Sequence, residues 1–71
     1  MELTNDEKIN IINSHIKNIA YNKYNLEITL IEENAKINPD EKTMATINEQ
    51  ISQFNIQFEA LNLEASKLTS I

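Results

Sequence analysis

The sequence predicts an all-α fold: an antiparallel two-helix hairpin of coiled-coil type. Three observations predict it. Two helix starts are spelled out, one near the N-terminus and one at mid-chain. Each is followed by an apolar heptad seam. The two seams match level for level if the chain folds back between them.

The first start is Thr4-Asn5-Asp6-Glu7. Thr4 is placed to cap the Glu7 amide while the Glu7 carboxylate reaches back, a capping box. The second is Asn38-Pro39-Asp40-Glu41. Here Asn38 reads as the N-cap, Pro39 as the first helical residue, and the two acids favour the first turn. Pro39 also drives Asn38 out of the α region, which ends the preceding helix. The expected boundaries are a first helix over about 5–36, a turn at 37–38 and a second helix over about 39–69, in a single unit of 1–71. Each arm is about 32 residues, or about 48 Å long. A continuous helix through Asn38-Pro39 is the structural alternative.

The second helix has the clearer period. Met44, Ile47, Ile51, Phe54, Phe58, Leu61, Ala65 and Leu68 are spaced 3, 4, 3, 4, 3, 4, 3. The first helix repeats that spacing through Ile9, Ile12, Ile16, Ile19, Lys23, Leu26, Leu30 and Glu33. A fold-back at Asn38/Pro39 pairs residues whose numbers sum to about 77. Ile9 then meets Leu68, Ile16 meets Leu61, Ile19 meets Phe58, Lys23 meets Phe54 and Glu33 meets Met44. All eight levels pair without a slip. The expected hairpin core is therefore Ile9, Ile12, Ile16, Ile19, Leu26 and Leu30 against Ile47, Ile51, Phe54, Phe58, Leu61 and Leu68. Glu33, at the turn end, is expected to be open to water.

Flanking positions are rich in amides, where coiled coils usually carry Glu and Lys. The register puts Asn13 near Asn62 and Asn22 near Gln57, pairs able to hydrogen-bond with little salt dependence. Ile and Asn are the commonest residues, a bias that A/T-rich codons also produce. Asn is unfavourable inside helices, so packing must supply most of the helical stability.

One helix pair shields only one side of each seam, a poor core at this size. Further apolar residues lie off the seam. Tyr21, Tyr24, Ile28 and Ile31 are spaced 3, 4, 3 and form a second stripe, expected beside the first. Ile56 and Leu63 lie off the seam of the second helix. Apolar stripes on small proteins mark interfaces. Two occupants are open: a second copy, giving a four-helix bundle or higher oligomer, or a different protein anchored by the tyrosines.

Composition removes most other functions. The 71 residues include no Gly and no Cys. No Gly means no phosphate-cradling loop, and no Cys means no disulfide, thiolate metal site or Cys nucleophile. The net charge of −5 repels nucleic acid and anionic membrane, so neither is an expected partner. Six Lys spread along the chain make no basic face. No apolar run exceeds three residues, too short to cross a bilayer, and the N-terminus shows no signal-peptide pattern. The expected location is cytoplasmic. His15 is the single histidine, expected near Glu64, with no second ligand at metal-binding spacing. Ser14 and Ser66 read as helix-surface serines. The four acids Glu32, Glu33, Asp40 and Glu41 around the turn are the one place for a weak cation. No metal, cofactor or catalytic residue is expected.

The segments Leu3-Thr4-Asn5-Asp6-Glu7-Lys8, Ile11 to Asn18, Tyr21 to Glu27 and Ile31 to Ala35 resemble small uncharacterised helical-hairpin proteins of marine tailed phages. The resemblance implies a virus-encoded helical accessory protein, acting in host cytoplasm or virion, and carries no catalytic motif. The expected function is a non-enzymatic helical module, structural or for assembly. The alternative is a small acidic regulator that binds a host protein through the Tyr/Ile stripe.

Overall fold

The computed structural model describes residues 2–69; residues 1, 70 and 71 of the expected unit lie outside the described residues. It is an all-α antiparallel hairpin of two helices, α1 (Asn5–Asn34) and α2 (Glu41–Thr69). The hairpin is a rod of 55 × 18 × 14 Å.

α1 begins at the expected capping box. The Glu7 N–H donates to Thr4 Oγ1 at 3.1 Å, and the Thr4 N–H donates to Glu7 Oε1 at 2.9 Å. These bonds, the Thr4 amide first, hold the Glu7 carboxyl below its ordinary pKa.

The turn is longer than the sequence suggests. α1 ends at Asn34 rather than 36, and α2 starts at Glu41 rather than 39. Asp40, not Asn38, performs the capping. Its carboxylate accepts from the Lys42 N–H and the Thr43 hydroxyl, both at 3.0 Å, and its carbonyl accepts the Met44 N–H. Pro39 therefore sits just outside the helix. Glu33 explains the shift. Its Oε2 accepts the Asp40 N–H at 3.0 Å, seven residues on, while its Oε1 holds Lys36 Nζ at 3.0 Å. A carboxylate at the end of α1 opposes that helix's own dipole, yet it faces the N-terminus of α2, where negative charge is favourable.

Glu33 is thus not open to water: it is 7% exposed, one of three buried residues among those described. The Asp40 amide, then Lys36, lowers its pKa. Asp40 is lowered too, by the Thr43 hydroxyl first and the Lys42 amide next.

The other two buried residues are Ile12 and Ile47, at 9% and 6% exposed. Both belong to the seam, one near each end of the rod. The remaining seam residues are half-buried, Lys23 and Ala65 included, apart from Phe58. Phe58, expected in the core, is 40% exposed. One facing helix covers one side of a side chain, and a ring this large extends past it. No described side chain is fully buried. At the open end, Asn5 Nδ2 donates to the Leu68 carbonyl at 3.3 Å and ties the arms together.

Candidate functional site

A straight α-helix turns about 100° per residue, so phase follows from numbering. The seam faces of α1 and α2 meet. Each helix then has a back, pointing away from its partner, and the rod has two broad faces.

The Tyr21, Tyr24, Ile28 and Ile31 stripe is not beside the seam. Its centre lies about 160° round α1 from the seam centre, on the helix's back. All four side chains are exposed, Tyr21 at 71%. Ile56 and Leu63 are exposed as well, on the back of α2. The six expected interface residues therefore form two patches on opposite edges of the rod, which no single small partner touches at once. Exposed apolar side chains at this density mark a binding surface.

One broad face carries two grooves between the helices. The larger, about 470 Å³, opens near mid-rod. Leu26 and Phe54 form its floor, and Asn22, Asn25, Gln50, Gln53 and Gln57 line its walls. Asn22 and Gln57, expected as neighbours, both border it, although no hydrogen bond joins them or Asn13 to Asn62 among the described residues. The smaller groove, about 260 Å³, lies at the open end among Leu3, Lys8, Ile11, Ile12, Glu64 and Leu68. By the same rotation both grooves open on the same broad face.

Chemically, the larger groove offers an apolar floor ringed by uncharged donors and acceptors. It contains no nucleophile and no acid–base pair. His15 is exposed, and the Lys36–Glu33 pair is the only ion pair among the described residues, so the expected His15–Glu64 contact is not formed. Ser14 and Ser66 donate to the carbonyls of Asn10 and Asn62 in their own helices. Of the four acids near the turn, Glu33 and Asp40 are committed to amides, Lys36 and Thr43, and no group of three or more His, Cys, Asp or Glu fit to hold a metal occurs among the described residues. Neither described helix is long and apolar enough to cross a membrane.

Ile11, an apolar residue off the seam, is exposed as its position implies, while sequence reasoning missed two exposed apolar residues, Leu3 and Ile37. Ile37 stands at the tip of the turn, 97% exposed. Its signal was available, an Ile in a segment with no period to place it. Compared with known proteins, the chain matches no family model, no curated sequence and no solved structure.

Proposed function

We propose that the chain is a non-enzymatic helical module of virus type that self-associates and serves as a structural, assembly or protein-interaction component. The observation that carries this is surface area. The chain exposes 5755 Å². A compact monomer of this mass exposes about 4,500 Å². The excess, about 1,200 Å², exceeds the roughly 800 Å² that each partner buries in a standard protein–protein interface. The ten large apolar side chains exposed among the described residues support the same reading. The virus-type part rests on the phage-protein resemblance of the segments from Leu3 to Ala35, and host cytoplasm or virion is the location it implies.

Light-scattering mass tests the proposal. A dimer or larger species is expected at high micromolar concentration, and a strict monomer overturns it.

A second reading is favoured by the placement of the tyrosine stripe on an edge, away from the grooves. There the chain is a small acidic regulator that docks a host protein through Tyr21, Tyr24, Ile28 and Ile31. Tyr24→Glu then abolishes capture of that protein and leaves oligomer mass unchanged. Should the variant capture normally, the stripe has no docking role.

A further inference from the structure

Self-association leaves open which face a second copy covers, and three features of the rod select one. The first is charge. A chain of net charge −5 repels itself wherever its acids gather. The rotation of each helix places Asp6, Glu27, Glu41 and Glu59 on one broad face, with Lys17 as its only base. The groove-bearing face is balanced: Lys8 and Lys67 offset Glu32 and Glu64.

The second is register. Consider two groove-bearing faces laid together about a two-fold axis across the rods, through the larger groove. α1 then lies antiparallel to α1 of the second copy, and α2 to α2. On α1 the facing residues have numbers summing to about 47, and on α2 to about 107. Asn22 meets Asn25 of the second copy, and Gln50 meets its Gln57. All four line the larger groove, so the amides of each copy cap the apolar floor of the other. The same register brings His15 to the level of the copy's Glu32.

The third is the turn. At this register the tip of one rod, Ile37, arrives at the level of residues 8–11 of the other. The open-end groove lies there, with Lys8, Ile11 and Leu68 among its lining. The most exposed of the large apolar side chains among the described residues, at 97%, thus meets an apolar recess that nothing in its own chain fills.

We infer that a second copy of this chain packs antiparallel on the groove-bearing face, with each turn tip seated in the other's open-end groove. The inference rests on the self-association proposed above and adds the face, the direction and the anchor. The tyrosine edge stays outside this contact.

Sedimentation equilibrium on the full chain tests it with four variants. Ile37→Asp and Gln53→Glu are each expected to raise the dimer Kd at least about tenfold, since they desolvate a charge in the contact. Ser52→Glu, on the opposite broad face, and Tyr24→Glu, on the α1 back edge, are expected to change it less than about threefold. Ile37 supports nothing within its own chain, so its variant keeps the hairpin fold, which circular dichroism checks. A monomeric parent chain overturns both this inference and the self-association it rests on. A dimeric parent that tolerates Ile37→Asp or Gln53→Glu overturns this packing alone. So does dissociation by Ser52→Glu or Tyr24→Glu, which moves the contact to another face.

Discussion

The ends of the rod and its middle are built differently. Near the turn, Ile47 is buried, Glu33 bridges to the Asp40 amide, and Asp40 caps α2. Near the open end, Ile12 is buried and Asn5 reaches the Leu68 carbonyl. At mid-rod the seam holds Lys23, the exposed ring of Phe58, and the groove over Leu26 and Phe54. The ends hold the buried side chains and the bonds that join the arms, while the middle of the seam is only half covered. A two-helix protein cannot enclose a core along its whole length. Here full burial is concentrated where polar caps already fix the backbone, while open apolar surface runs the length of the rod, from Ile37 at the tip through the mid-rod groove to the open-end groove.

Substitutions can break that contrast, and all comparisons below are made at one fixed protein concentration because association contributes to apparent stability. The largest expected effect is at Ile47. Ile47→Ala should cost about 2–4 kcal/mol in urea unfolding, the range for deleting a buried aliphatic side chain. Phe58→Ala removes more volume, yet should cost less because the ring is already part-exposed. Equal losses would mean that mid-rod is as well packed as the ends.

Next comes the turn clamp. Glu33→Gln keeps an oxygen for the Asp40 amide and loses the charge, so the neutral-pH melting temperature should fall by less than in Ile47→Ala. Its pH signature is sharper. Glu7, Glu33 and Asp40 all have lowered pKa values in the folded state. Their stabilisation is complete above the ordinary carboxylate range and drains away as pH falls through it to the lowered values. Acid titration of the melting temperature should therefore be shallower in Glu33→Gln than in the parent. Superimposable titrations would remove Glu33 from the account of the turn.

The smallest effect is a gain. Lys23→Leu replaces the one cation on the seam, which is half-buried, and should stabilise the hairpin by about 1 kcal/mol. Destabilisation would show that Lys23 has a partner in the assembled form.

Much of the hairpin was legible. Thr4 and Glu7 spell a capping box, and both of its bonds are formed. The 3–4 spacing selects the faces that meet, and Pro39 marks the break between arms. The cap of α2 was not legible, because Asn38 and Asp40 are both good capping residues on either side of Pro39. The choice was made by Glu33, whose reach to the Asp40 amide is a tertiary contact. The burial of Glu33 escaped for the same reason: a carboxylate near a turn reads as solvated until its partner is known. The place of the tyrosine stripe was in the numbering. Tyr21 follows the seam residue Ile19 by two, about 200° round the axis, which puts it behind the helix. The grooves had no sequence signature, since they arise from gaps between side chains of two arms.

The clamp at the turn also bears on how the chain finds its fold. Contacts between the arms span 7 residues at Glu33–Asp40 and 63 at Asn5–Leu68. By loop-closure entropy, that difference in separation is worth about 2 kcal/mol to whichever contact forms first. The order of assembly is thereby biased: turn first, then level by level outward, like a zipper whose slider rests between Glu33 and Asp40. Opening runs in reverse, starting from the far end, where Asn5 holds the Leu68 carbonyl.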